Sequence, residues 1–495
     1  MAEPKWDVVV VGAGTTGCAL AARLADAGRR VLLLEAGADH EQPDDFPPEI
    51  RDAARMGAAA PGHPANWGLT AELTDGLVAP IPRGRVVGGS SALNAGSFIR
   101  ATRADLDGWA ATGNDLWSYD AVLPAFRRLE TDRDFGDRPE HGGGGPVPVT
   151  RVRQGSPLAD AFAAAAAELG HPAEPDKNSG GSAPGYGPVP LNVVDGVRVN
   201  TAMAYLSPRR HLAALTVRGG VTVRRVVVEH GRAVGLEIAQ GVLRAAEVVL
   251  CAGAVGSPHL LLRSGIGPAD DLRRAGIAVA ADLPGVGAEC SDHPNVYVGY
   301  LPARALPVPP LPLHGVLHAT SELSGDLEIL PWLTPFDRGE ELVVGVGLQR
   351  PAGHGRLSVD DGDPDRQPRL EYRYLAEPAD RRRLREGVRL AADLLRSGSL
   401  APFVAGRTGL PDDVLDDDRE LDRWVRAHLT TAIHLSGTAR MGPVSDPGAV
   451  VDQELRVRGV TGLRVVDTSV LPSVPSRGPA ATAVMLGERA AELMT

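Results

Sequence analysis

The chain has 495 residues, 43% of them hydrophobic and 23% charged, and carries a net charge of −11. Those proportions exclude wholesale disorder, and the length suggests two or three domain-sized units. The acidic balance excludes nucleic acid as a partner, because nothing supplies a phosphate-neutralising surface, and no apolar run reaches the ~20 residues of a membrane span.

The N-terminus reads strand, turn, helix, strand. Asp7 to Val11 is the β-branched run of a strand buried on both faces. Gly12-Ala13-Gly14-Thr15-Thr16-Gly17 follows, then a helical pattern through Leu20, Ala21 and Leu24 that ends at Gly28. A second strand over Val31–Leu34 ends in Glu35. This βαβ unit opens a doubly wound sheet. Residues 37–80 read as polar, proline-rich and irregular, and 84–97 as glycine- and serine-rich. Within the Gly/Pro-rich stretch 136–190, an alanine-rich helix is expected from Leu158 to Leu169. Between Leu215 and Cys251, alternating strands at Val221 to Val223, Ala233 to Glu237 and Glu247 to Leu250 suit a meander returning to the first sheet. The proline-dense 302–313 is no central strand. Helices are expected over 378–396 and 418–428, and strand Leu463 to Val466 and helix 479–494 close the chain, with no internal repeats.

Glycine (59) and proline (41) together make up about a fifth of the residues. Two readings stand side by side: backbone that must approach a large cradled ligand, or GC-rich codon usage. The second draws on lysine, which occurs only at Lys5 and Lys177 and leaves arginine to supply the rest of the basic residues. Three cysteines, Cys18, Cys251 and Cys290, make no disulfide framework and point to a reducing compartment. The first apolar run leads straight into the glycine turn with no signal peptide before it, so a soluble cytoplasmic protein is expected.

In the G-x-G-x-x-G turn, Gly12 permits the tight bend, Gly14 lets a pyrophosphate approach the backbone, and Gly17 allows close helix–strand packing. The helix start supplies free N–H groups and a positive dipole to the phosphates. Glu35, 18 residues beyond Gly17, accepts from ribose hydroxyls. The turn specifies an adenine dinucleotide without choosing NAD or FAD.

Later stretches make that choice by resemblance. Leu33-Leu34-Glu35-Ala36-Gly37, the run Gly84 to Asn94 (GRVVGGSSALN), Cys251 to Pro258 with Ser264 to Pro268, Pro284-Gly285-Val286-Gly287 before Asp292-His293-Pro294, and His434 to Gly442 with Val451-Asp452 and Leu463 to Ser469 all resemble the glucose–methanol–choline (GMC) family of flavin oxidoreductases. The resemblance implies FAD and an α/β fold (α+β overall). In it, a Rossmann-like FAD-binding domain (1–120, 186–290 and 433–495) is interleaved with a substrate domain (121–185 and 291–432) built on an antiparallel sheet flanked by helices. It also implies that Thr15 and Thr16 meet the pyrophosphate, Glu35 and Ala36 the adenosine ribose, and Val223 the adenine. Val87, Gly89, Asn94, Ala95 and Ser97 would line the flavin and its ribityl chain, Asp467 the ribityl and pyrophosphate, and Ala480 the pyrimidine end. Trp67 matches a position close to FAD. Some members bind flavin covalently through a histidine just after the Gly-Gly-Ser stretch; no histidine lies between 84 and 100, so non-covalent FAD is expected.

The implied activity is oxidation of an alcohol CH–OH to a carbonyl by hydride transfer to flavin N5. Such a reaction needs a base for the hydroxyl proton, and among thirteen histidines the motif selects His434. His293, in Asp-His-Pro, reads as structural. The family's second catalytic position, Asn or His, falls 44 residues later on Gly478. Glycine before Pro479 is good helix-start chemistry, and the last helix would aim its N–H groups at the flavin pyrimidine. Arg477 is a candidate replacement for the missing side chain, against the alternative that it pairs with an acid. No metal is expected. The partners implied are a small-molecule alcohol and oxygen, or a quinone or carrier acceptor; some bacterial members couple to a mycofactocin-like carrier. A hydroxynitrile-type lyase on the same fold and an inactive scaffold are the competing readings. Trp332 and Phe336 offer an aromatic pocket for aryl alcohols, with ordinary core as the alternative, and oligomeric state is not legible.

Overall fold

A computed structural model describes residues 6–152, 156–181, 183–336 and 339–495. Five strands form a wholly parallel sheet in the order Leu215–Arg218, Val31–Leu34, Val8–Val11, Val248–Leu250 and Leu463–Val465. The three central strands are buried on both faces, as their unbroken Val/Leu runs require. The first helix, Thr15–Asp26, packs against the last, Ala480–Met494. Gly487 makes that approach possible: a Cβ there would stand 2.6 Å from the Thr16 carbonyl oxygen. Thr16 Oγ1 donates to the Ala483 carbonyl at 2.8 Å across the same seam.

A seven-stranded antiparallel sheet forms the second layer, in the order Val404–Thr408, Pro294–Pro302, Leu342–Leu348, Leu327–Trp332, Gly315–Ala319 and Gly185–Pro188, with Thr430–Thr431 also paired to Pro294–Pro302. Helix Pro378–Arg396 covers one face of it. The other face turns toward the parallel sheet, and the candidate site lies between them.

Two expectations need correction. The meander returns to the first sheet only through its last strand: Val248–Leu250 pairs with Val8–Val11, whereas Val223–Glu229, Arg232–Ile238 and Gly241–Arg244 make a separate three-stranded sheet, and the parallel sheet also takes Leu215–Arg218, which precedes the meander. Residues 37–80 are not wholly irregular, since Thr70–Thr74 and Leu77–Pro80 form a hairpin. Alternation in Ala71, Leu73 and Leu77 carries that hairpin, but the surrounding prolines mask it. Among the described residues, no helix is long and apolar enough to cross a membrane.

Charged groups are buried where the 130–176 segment folds back. The His141 ring has no solvent contact; its Nδ1 lies 3.0 Å from Glu130 and 3.1 Å from Asp132, and its Nε2 lies 2.9 Å from Asp176. Arg100 and Arg151 complete the cluster. Burial opposes the charged ring, but the carboxylates of Asp132, Asp176 and Glu130 outweigh it and hold its pKa up at about 10, against an ordinary 6.5. A raised folded pKa stabilises fully below the unfolded value and less as pH climbs toward the folded one. Chemical unfolding of the wild type should therefore lose stability between about pH 7 and pH 10. His141→Gln should abolish this dependence and cost about 3 kcal/mol at neutral pH, because it leaves buried carboxylates uncompensated.

Candidate active site

A cavity of about 790 Å³ runs from the first βαβ unit to the open face of the antiparallel sheet. At its first end Gly12, with φ +101°, makes the tight turn, and a Cβ there would meet the Cys251 carbonyl oxygen at 2.5 Å. Gly14, Thr15 and Thr16 line the cavity. No side chain caps this helix start, so its first N–H groups face the space. Gly17 lies behind the turn, where a Cβ would meet the Gly12 carbonyl oxygen at 2.0 Å; its part is the close packing its spacing indicates. Glu35 and Ala36 also line this end. The Glu35 carboxylate accepts from Ala13 N–H at 3.0 Å and Gly37 N–H at 2.9 Å, while burial pushes its pKa up to about 7. Val223 lies on the wall nearby.

Farther in, the 84–97 loop crosses the glycine turn at close range. Gly89 has φ +53°, and a Cβ on it would stand 2.6 Å from Gly14 Cα. Gly89, Asn94, Ala95 and Ser97 line the cavity, but Val87 does not: it is buried behind the wall, its N–H donating to the Ala38 carbonyl at 3.0 Å. Trp67 lines the cavity and is 44% exposed, with the Arg85 guanidinium 5.2 Å from its ring centre; it is a rim residue rather than core. Asp467 also lines the wall, and its oxygens serve the protein: they accept from Gly253 N–H, Ser257 Oγ and Ser469 N–H at 2.9, 2.5 and 2.9 Å. Gly478, Pro479 and Ala480 form the opposite wall, where the last helix starts, again without a side-chain cap. Two uncapped helix starts therefore aim positive dipole ends into one cavity, with a buried carboxylate beside the first. This lining, with backbone N–H groups free at the first helix start, fits an elongated dinucleotide such as FAD.

His434 lines the same cavity. Its backbone is held by Asp292, whose Oδ1 accepts from His434 N–H at 2.8 Å and His293 N–H at 2.7 Å, and whose Oδ2 accepts from Thr431 Oγ1 at 3.0 Å. The residue before it, Ile433, has φ +67°, an outlying conformation for a β-branched side chain; Thr431 Oγ1 accepts its N–H at 2.9 Å. Burial, with Arg83 second, pushes the His434 pKa down to about 3, so the ring is neutral far below the ordinary range.

His293, which reads as structural from its motif, is buried directly behind the His434 ring and off the cavity wall. Its Nδ1 lies 2.9 Å from His434 Nδ1, the rings edge to face at 5.1 Å. Its Nε2 has no hydrogen-bond partner among the described residues. With His293 Nδ1 as acceptor and His434 Nδ1–H as donor, the lone pair of His434 Nε2 faces the cavity. The Asp-His-Pro motif marked the position without indicating that the two imidazoles meet. Gly478 lies beside that nitrogen: a Cβ there would stand 3.3 Å from His434 Nε2. Arg477 does not replace the missing side chain. It is buried away from the cavity wall, its Nη1 donating to the Gly325 and Ser476 carbonyls at 3.2 and 2.5 Å. Gly478 lies on the cavity wall and Arg477 does not, so the two neighbours serve different sides of the chain.

Sequence models of the GMC oxidoreductase family match residues 6–295 and 351–487. An uncharacterised GMC-type oxidoreductase of Rhodococcus erythropolis is 41% identical, covering 99% of this chain and 98% of that protein. The mitochondrial choline dehydrogenase of Homo sapiens is 34% identical, covering 99% and 90%. Among solved structures, pyridoxine 4-oxidase from Mesorbium loti superposes with a TM-score of 0.90 at 32% identity, covering 99% of both chains.

Gly89→Ala should cut the visible flavin absorbance per purified chain several-fold, because the added methyl drives the loop off the glycine turn. Gly144→Ala, with nothing within 4 Å of its Cβ, should leave it unchanged. Equal flavin content in the two variants would show that the close contact is not needed for the cofactor.

Proposed function

The chain belongs to the GMC oxidoreductase family, and on that premise we propose that it holds FAD without a covalent bond and oxidises an alcohol to a carbonyl, with His434 accepting the hydroxyl proton. The observation that carries this reading is the neutral His434 imidazole, with one nitrogen engaged by His293 and the other open to the cavity. FAD, when bound, supplies the two-electron acceptor for the carbinol hydrogen. The protein's own part is proton handling and placement. His434 Nε2 takes the hydroxyl proton as the carbonyl forms, and the charge that develops on the ring is shared through Nδ1–H with His293. Asp292 fixes the backbone under both rings, so the base does not swing.

Gly478 removes a side chain that would crowd His434 Nε2, so the substrate hydroxyl meets the imidazole without a second clamping group. The uncapped start of helix Ala480–Met494 favours negative charge on whatever lies against it, which suits a reduced flavin. The electrons pass on to oxygen or to a carrier acceptor.

His434→Ala, with FAD retained, should slow anaerobic flavin bleaching by the alcohol about 10²–10⁴-fold, the range for a lost general base. Undiminished bleaching would overturn the assignment. His293→Leu should keep FAD and slow the same step about tenfold or more, since the tautomer of His434 is no longer fixed. Because burial holds the His434 pKa near 3, the rate of bleaching should stay level as pH falls from 8 to about 5. A protonation limb near 6.5 would contradict the buried, neutral ring.

A further inference from the structure

The open face of the antiparallel sheet has an unusual floor. Strand Leu342–Leu348 runs between Pro294–Pro302 and Leu327–Trp332 and places Gly345 on the cavity wall, while Val344, Val346 and Leu348 face the core. The register sets the walls. Tyr297 and Leu330 flank Gly345, and Asn295 and Glu328 flank Gly347. A short trough therefore lies over the bare backbone of Gly345, closed at Gly347 by the Gln349 and Asn295 side chains, whose polar atoms would stand 2.9 and 3.3 Å from a Cβ there. A Cβ on Gly345 would meet Tyr297 Cε1 at 3.5 Å and Trp332 Nε1 at 3.7 Å, so two aromatic edges close on the space from opposite sides. Phe336 stands at the outer end, edge to face with both Tyr297 and Trp332 at 5.1 and 4.8 Å. The inner end points at the base, since Asn295 and Pro294 pair with Thr430 and Thr431, the short strand that leads into His434.

Glu328, a partly buried acid on the wall, differs from the fully buried ones. Glu35 and Asp467 have their oxygens engaged by backbone N–H and hydroxyl groups. Glu328 meets only His318 Nε2, at 3.2 Å on Oε2, and no described residue donates to its Oε1. His318 is fully buried and its Nδ1 has no partner, which makes it a neutral donor. The nearby cations are engaged elsewhere: Arg477 on two carbonyls, and Lys177 on Glu174 and the Gly185 carbonyl.

We propose that this trough is the substrate subsite and that it selects a flat aromatic alcohol carrying a hydrogen-bond donor beside the carbinol, with Glu328 receiving the donor. The ring slides between Tyr297 and Trp332 over Gly345, where a tetrahedral head would strike both edges. The carbinol reaches His434 at the inner end, and the neighbouring donor meets the open carboxylate oxygen of Glu328, which lines the same cavity. An empty trough leaves Glu328 poorly solvated, and burial raises its pKa accordingly; a donor from the substrate restores what water would give. The inference rests on the alcohol-oxidation reading, and it is tested through binding rather than turnover.

Isothermal titration of the FAD-loaded full chain with inert amides supplies that test: benzamide, 2-hydroxybenzamide, 2-methoxybenzamide and isobutyramide. The hydroxy compound should bind about tenfold tighter than benzamide, the factor for one hydrogen bond to a charged group, and the methoxy compound should lose that advantage. Glu328→Gln should erase only the preference for the hydroxyl. Gly345→Ala, whose methyl sits at ordinary contact distance and is tolerated by the fold, should weaken the aryl amides about tenfold and leave isobutyramide unchanged. Isobutyramide binding as well as benzamide, or a hydroxyl preference that survives Glu328→Gln, would overturn the proposal. If this ligand pattern holds while His434→Ala still bleaches its flavin at full rate, the base assignment fails and the subsite stands. If the pattern is absent while His434→Ala is inactive, only the subsite fails.

Discussion

Glu488 has no solvent contact, yet it accepts from Arg23 Nε at 2.9 Å, Arg128 Nε at 2.7 Å and the Tyr205 hydroxyl at 2.6 Å. It sits on the last helix and binds partners from the first helix and from two distant segments. A buried carboxylate left alone would be costly; with two guanidinium groups and a phenol it becomes a fixed joint between the two ends of the chain. One residue earlier, Gly487 lets the helices touch at backbone distance. Once that joint is made, the starts of both helices point into the same cavity, and the order of segments along the chain ceases to matter. A polypeptide that passes between sheets several times can still deliver one site.

The site itself lies on the seam between a parallel sheet, which supplies backbone, and an antiparallel sheet, which supplies side chains. Helix starts and glycines line one end of the cavity, where a ligand can come close to backbone; His434, Glu328 and aromatic rings line the other. Asp292 joins the two functions, because its carboxylate anchors the strand that carries His293 and the loop that carries His434.

Much of this was legible in the sequence. The unbroken runs at Val8 and Val31 and the glycine spacing at 12–17 fixed the cofactor end, since each residue there acts through local backbone geometry. Helices Pro378–Arg396 and Asp418–Ala427 fall within a residue of their expected limits, because long amphipathic periods are strong signals. The substrate end was harder. The Val-Gly-Val-Gly run reads as an ordinary strand until its register shows what flanks each glycine. Glu328 is one acid among many until its neighbours are seen to leave an oxygen unused. Arg477 illustrates the converse: its place beside the motif suggested a role, but the Gly325 and Ser476 carbonyls hold its guanidinium off the cavity wall. Pairings such as His293 with His434 join positions 141 residues apart, and no local pattern encodes them.

Ile433 holds a left-handed backbone that a β-branched residue adopts only at a cost of about 1–3 kcal/mol, and Thr431 helps to offset it. The peptide that carries this strain also sets the direction of His434. Selection for heat resistance alone would favour glycine or asparagine at 433, where the strain is relieved. Directed evolution toward a hardier biocatalyst would thus act on the same peptide that orients the base, and robustness and turnover would compete at a single residue.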